Sequence, residues 1–132
     1  MDEDKLNRLP PDVKKQFLKL ALKLSEKKTK SKVHDDFLSF VKHVWPEFIE
    51  GKHHKEIADK FNRLAKGEIK RLIINMPPRH TKSEFASYLL PSWMVGRRPN
   101  LKIIQTTHTT ELAIRFGRKA KTLMDSEEYK QV

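Results

Sequence analysis

The sequence predicts an α/β domain in which a parallel sheet follows three helices. Two short segments, 69–74 and 101–107, are rich in branched apolar residues, as expected for strands covered on both faces. Each segment is followed by a polar loop and then by a helical pattern of apolar residues. The order strand, loop, helix, strand, loop, helix predicts a parallel sheet with a right-handed crossover, whose ligands bind at the carboxyl ends of the strands.

The first helix is predicted to begin at 10–12, because Pro is tolerated in a first helical turn and Asp interacts favourably with the helix dipole there. Residues 25–32 contain no apolar side chain and many lysines, which is typical of a linker. We therefore expect a Lys-rich helix and linker over 1–34 and a ligand-binding domain over 35–132. The apolar residues of the first helix share one face, and we expect them to pack on the chain's own domain, with docking on a partner or on nucleic acid as the alternative: Val13, Phe17, Leu20, Ala21 and Leu24.

The second and third helices have clear end signals. The second is predicted over 35–45, with Asp35 or Asp36 as its N-cap and a proline directly after it. The third is predicted over 51–66 and is followed by Gly67, a favourable residue just beyond a helix C-terminus.

Two further helices are predicted after the two loops. The first should run from Ser83 to about Leu90, because Pro91 ends or kinks a helix. The second should be capped by Thr109 or Thr110. Residues 125–132 are expected to trail off without regular structure.

Composition indicates a basic protein of one small domain. The 132 residues include 28 Lys and Arg against 17 Asp and Glu, which gives a net charge of +11 and a pI near 9.9. A protein this basic usually binds a polyanion, although an ordinary lysine-coated surface is the alternative. The absence of Cys excludes disulfides and thiolate metal sites. No apolar run approaches ~18 residues, so neither a membrane span nor a membrane partner is expected.

The loop after the first predicted strand has features of a phosphate-binding loop. Such a loop follows G-x-x-x-x-G-K-[ST], in which the Lys reaches the β- and γ-phosphates and the hydroxyl binds Mg²⁺. Lys82 and Ser83 fit the last two positions, whereas Met76 and Thr81 replace the glycines. If Thr81 must adopt a positive φ, the strain costs on the order of 1–3 kcal/mol. An ordinary connection between strand and helix is the alternative interpretation.

His53 and His54 open the third helix. A metal site is disfavoured, because adjacent histidines on a helix point about 100° apart and no third ligand follows at matching spacing. Their position before the first strand suggests instead a contact with the base of a nucleotide bound at the loop.

The run 71–84 resembles the Walker A segment of tailed-phage terminase large subunits, in which Gly commonly occupies the position of Thr81. The similarity covers about residues 35–125 and includes further blocks at 51–54, 91–93, 101–104, 111–113 and 116–119.

The resemblance implies a function in viral genome packaging. Terminase large subunits are bacteriophage ATP hydrolases that use ATP and Mg²⁺ to drive double-stranded DNA into the capsid. They work as a homo-oligomeric ring at the procapsid portal in the host cell cytoplasm, together with a small terminase subunit. The implied fold is the N-terminal part of a RecA-like P-loop NTPase parallel sheet, and residues 35–132 would be the N-terminal part of this ATPase domain.

The resemblance also implies roles for individual residues. Lys82 would bind the β- and γ-phosphates, Ser83 would hold Mg²⁺, and Arg79 would sense or stabilise the γ-phosphate, so that Arg79 and Lys82 are the catalytic candidates. The remaining candidates are the rest of the nucleotide-binding loop, the adenine side of the site, and a segment that couples to DNA: Pro78, His80 and Thr81; His53 and His54; Thr106, Thr107 and His108.

Members of this family also carry an acidic Walker B strand and a C-terminal nuclease domain with a cluster of acidic residues. The present sequence contains neither of these acidic features. We therefore expect a piece of a longer protein that carries the Walker A side of the ATP site and is not catalytic alone. The alternatives are a small basic protein that binds DNA or docks on a motor without nucleotide, and a fragment of a superfamily-2 helicase-like motor.

Overall fold

The computed structural model describes residues 10–131, which form helices joined by extended segments and contain no β-strand. The predicted α/β fold with a RecA-like parallel sheet is therefore wrong. The two expected strands, 69–74 and 101–107, lie in the segments 69–76 and 101–107, which we call the extended segments and which pair with no neighbour in the described chain. They are also not covered on both faces, since Ile73 is 87% exposed and Ile104 is 91% exposed.

Within residues 10–131 the structure has six helical elements. Helix α4 is continuous but has three parts, a first turn, a π-helical turn and a final α-helical part. The bounds are α1 Pro11–Asp35, α2 Phe37–Val44, α3 Lys52–Lys66, α4 Lys82–Glu84 with Phe85–Leu89 and Leu90–Arg97, α5 Thr110–Asp125, and α6 Glu127–Lys130. None of these helices is both long enough and apolar enough to cross a membrane.

The described chain divides between Ser31 and Lys32 into two units. In the first unit, α1 continues through 25–32, where a linker was expected. Ser25 and Thr29 donate side-chain hydrogen bonds to carbonyls one turn earlier in this helix. The apolar residues that were expected to pack have large exposed fractions: Val13 46%, Phe17 38%, Leu20 57% and Leu24 52%.

The second unit is built around four aromatic side chains, which we call the aromatic core: Phe37, Phe61, Phe85 and Trp93. The Phe37 ring meets the other three edge to face, with centroid distances of 5.0, 5.3 and 5.5 Å. All four side chains are buried, and they come from α2, α3 and α4. Burial of such large side chains stabilises the unit, because each removes a large apolar area from water.

The junction of α1 and α2 is fixed by Asp36, as predicted for the N-cap. Its carboxylate accepts hydrogen bonds from the backbone N–H of Ser39 and from the amide of Asn62, both at 2.8 Å. Burial acts to raise the pKa of Asp36, but these hydrogen bonds and the charge of Lys32 outweigh it and lower the pKa below its usual value. Asn62 also accepts from the Phe37 N–H at 2.8 Å, so α3 holds this junction from the side.

The C-terminal helices differ from the prediction in length. Helix α4 continues past Pro91, and the π-helical turn before it places the Leu90 N–H on the Phe85 carbonyl. The segment expected to trail off contains α6, and Tyr129 donates to the Ser92 carbonyl at 2.8 Å and packs on Phe40. Gly67 and Thr109 occupy the helix ends predicted for them.

Candidate phosphate-binding loop

The loop 76–83 leads from the first extended segment into α4. Arg79 and Thr81 have positive φ values of 65° and 56°, the left-handed conformation that L-residues adopt rarely. Each such residue costs on the order of 1–3 kcal/mol unless its surroundings hold it in place. The structure thus gives Thr81 the backbone conformation that a glycine would adopt more easily.

Thr81 is held from outside the loop by His54. The His54 Nε2 lies 2.6 Å from the Thr81 hydroxyl oxygen, and the same hydroxyl lies 2.7 Å from the His80 carbonyl. On the other side of the ring, the Gly51 N–H donates to His54 Nδ1 at 2.9 Å. A chain of hydrogen bonds therefore runs from the start of α3 into the loop.

The His54 ring is 5% exposed and packs between aromatic groups. The rings of Phe48, Phe85 and His53 lie 4.8, 5.1 and 3.8 Å from it. Burial lowers the pKa of His54, and the neighbouring His53 and His80 lower it further, against an opposing effect of Glu50. His54 is therefore neutral near pH 7.

Gly51 leaves room for the ring of His53. A Cβ at this position would lie 2.9 Å from the His53 Cε1 and 3.1 Å from its Nδ1. Any larger residue would displace the His53 ring, which itself lies 5.7 Å from the ring of His80 in the loop.

Lys82 closes the loop on itself, because its ammonium donates to the Met76 carbonyl at 3.3 Å. Residues 77–84 line a cavity of about 180 Å³ in this loop. Arg79, His80 and Ser83 are exposed at its surface. The loop thus places an ammonium, a guanidinium and two hydroxyl groups around a small concave site.

The carboxylate in the lining of this cavity, Glu84, is neutralised from α5. Lys119 donates to its two oxygens at 2.8 and 2.7 Å and also lies over the ring of Tyr88. Burial and the negative Glu84 raise the pKa of Tyr88 to about 12, so this side chain stays neutral. Because Lys119 pairs with Glu84, this carboxylate would repel an anion bound in the loop less than an unpaired one.

The structure brings together part of the predicted site. His53, His54, His80, Thr81 and Lys82 meet at the loop. Sequence reasoning missed the contact of Lys119 with Glu84, which are 35 positions apart, and no local signal in the sequence reveals it.

The predicted DNA-coupling segment, Thr106, Thr107 and His108, lies apart from this network. It precedes α5, where the Thr107 hydroxyl donates to the Thr109 carbonyl at 2.6 Å. Across residues 10–131, no hydrogen bond or ion pair joins this segment to the loop.

The residues of the loop fit a phosphate group better than they fit a metal ion. The left-handed backbone, Lys82 and the helix start suit a phosphate group. For Mg²⁺, Ser83 offers one hydroxyl, and the described residues contain no group of three His, Asp or Glu side chains placed to hold a metal. A bound Mg²⁺ would therefore depend on Ser83 and on the phosphate oxygens of the ligand.

Comparisons of the chain with protein-family models, with curated proteins and with solved structures found no match. The resemblance to terminase large subunits stays a prediction from the sequence.

Proposed function

We propose that loop 76–83 binds the triphosphate of ATP and that the chain is the phosphate-binding part of a viral DNA-packaging motor subunit. The observation that carries the proposal is the loop backbone, in which Arg79 and Thr81 are left-handed shortly before Lys82 and Ser83 at the start of α4. Turns of this kind aim successive N–H groups at one point, which favours an anion.

The residues of the loop have distinct roles in this proposal. Lys82 exchanges its bond to the Met76 carbonyl for a phosphate oxygen, and its charge strengthens that bond. Arg79, exposed at the left-handed turn, supplies a second positive charge toward the terminal phosphate. Ser83 holds the Mg²⁺ that accompanies the nucleotide.

In this proposal the adenine base binds next to His53. Its Nε2 is buried and has no hydrogen-bond partner among residues 10–131, which leaves a polar atom for a ligand. His53 also lines a second cavity of about 310 Å³, together with apolar side chains such as Ile57, Leu72 and Met76. Apolar walls with one polar group suit a purine ring.

The proposed reaction of this chain is binding without hydrolysis. Glu84, the acid in the loop lining, is held by Lys119 and is not free to orient a water molecule. In the packaging motor, the partners would be double-stranded DNA, the portal, the small subunit and further copies of the chain, in the host cytoplasm. The net charge of +11 is consistent with a DNA partner.

The test is calorimetric titration of Mg–ATP into the wild type and Lys82→Ala. Loss of a charge-assisted hydrogen bond is worth about 1.5–3 kcal/mol, so we expect roughly 10- to 150-fold weaker binding. Lys70→Ala, an exposed lysine in the first extended segment, is the matched control and should bind as the wild type does. Equal affinities for all three proteins, or no binding by the wild type, would refute the proposal.

A second candidate function is DNA binding without any nucleotide. It is favoured by α1, on which many lysines are exposed, including Lys15, Lys19, Lys23, Lys27, Lys28 and Lys30. This candidate predicts duplex binding that weakens steeply with salt and is unchanged in Lys82→Ala, with no heat of ATP binding in either protein.

A further inference from the structure

The strain at Thr81 requires support from outside the loop. Among the described residues, His54 is the side chain beyond the loop that hydrogen-bonds to Thr81, at 2.6 Å. Because His54 is buried in α3 and fixed by its bond from Gly51, it is a rigid anchor for a loop that is otherwise largely exposed. This contact therefore joins the left-handed turn at Thr81 to a buried residue of α3.

The hydrogen bonds of His54 are consistent with one protonation state. The Gly51 N–H can only donate, so His54 Nδ1 must accept and carries no proton. The proton of the neutral ring is then on Nε2, which donates to the Thr81 hydroxyl, and that hydroxyl donates to the His80 carbonyl. A second proton on Nδ1 would place two N–H groups against each other at 2.9 Å.

The groups around His54 also oppose a charge on it. On α3 it faces His53, from the loop it faces His80, and Phe48 and Phe85 cover its ring. Glu50, before α3, is the neighbouring negative group, and its carboxylate is shared with Lys42 and Lys55. The pKa of His54 is accordingly lowered, chiefly by burial.

We propose that His54 is the positioning residue of the loop, and that the loop binds phosphate tightly only while His54 is neutral. This inference rests on the proposed phosphate binding. Protonation removes the acceptor for the Gly51 N–H, moves the ring, and frees Thr81 to leave the left-handed conformation. Acidification through the lowered pKa of His54 then weakens phosphate binding, although it adds positive charge to His53 and His80.

The experiment compares the wild type with Thr81→Gly, with Mg–ATP as the probe at pH 7.5 and pH 5.5. Glycine adopts a positive φ without support, so the variant needs no anchor. Protonation of the ligand, of His53 and of His80 affects both proteins alike and cancels in the comparison. We expect the affinity to fall more for the wild type than for Thr81→Gly, by a factor below about ten because the pKa of His54 lies under its usual value of 6.5. An equal loss in both proteins would overturn the inference and leave the proposed function standing.

A second pair of variants separates positioning from folding. His54→Gln removes the titrating ring and should weaken ATP binding at pH 7.5, while His54→Gln with Thr81→Gly should recover it. Thermal unfolding followed by circular dichroism checks that each variant is folded. Failure of the double variant to recover binding, although folded, would contradict a positioning role.

NMR provides a readout that does not need ATP. The ¹⁵N shifts of the wild-type ring should show His54 protonated at Nε2 and not at Nδ1, and the Thr81 amide should shift with the His54 titration. If the wild type shows no ATP binding, the proposed function is refuted, and these spectra alone decide whether His54 anchors Thr81. An Nδ1–H form, or a Thr81 amide that does not follow the titration, would overturn that anchor.

Discussion

The aromatic core and the two extended segments both contain large apolar side chains, but these are buried in the core and exposed in the segments. Phe37 is fully buried and meets three rings from neighbouring helices. Ile73 and Ile104, in contrast, are 87% and 91% exposed. The two regions differ in how their backbone hydrogen bonds are made. A helix pairs its own N–H and C=O groups, whereas a strand needs a neighbouring strand to pair with.

The candidate site lies where these two regions join. Loop 76–83 takes its first residue from an extended segment and its last residues from α4. The helical side fixes the loop through Thr81 and His54, and Lys82 ties it back to Met76 on the extended side. The helical region therefore matters for the proposed function, because it positions the side chains that would bind phosphate.

The largest expected effect is on the aromatic core. Phe37→Ala should destabilise the protein by about 3–5 kcal/mol, because it removes a fully buried ring and leaves a cavity among three others. Ile104→Ala, at a residue that is 91% exposed, should change the free energy of unfolding by less than about 0.5 kcal/mol. Urea unfolding measures both, and similar losses in the two variants would contradict the difference between the regions.

A smaller effect is expected at the junction of α1 and α2. Asp36→Ala removes the N-cap of α2 and should cost about 1–2 kcal/mol. The pKa of Asp36 is lowered in the folded state, so the stability that its charge provides is present above the usual value of 3.8 and is lost as the pH falls through the lowered value. The difference between wild type and Asp36→Asn in urea should therefore shrink below pH 3.8, and a difference independent of pH would argue against a charged cap.

Features encoded locally were predicted well from the sequence. Asp36, Gly67 and Thr109 mark helix ends because their side chains or backbone freedom act within one turn. Lys82 and Ser83 were placed at a helix start for the same reason.

Features that depend on distant partners were not predictable. An apolar run such as 101–107 is typical of a strand, but whether it pairs depends on other parts of the chain. The docking of Tyr129 on Phe40 is likewise decided by tertiary contacts. The bond from His54 to Thr81 joins residues 27 positions apart, so the role of His54 as an anchor required the structure.

The most direct test of the central claim is to locate the nucleotide on the protein. Mg–ATP added to ¹⁵N-labelled wild type should shift the amide signals of residues 79–83, because their N–H groups would surround the phosphates. Inorganic triphosphate should shift the same signals, and Lys82→Ala should reduce the shifts at equal ligand concentration. Shifts confined to the lysines of α1, or no shift in the loop at saturating ligand, would contradict the claim that this loop binds phosphate.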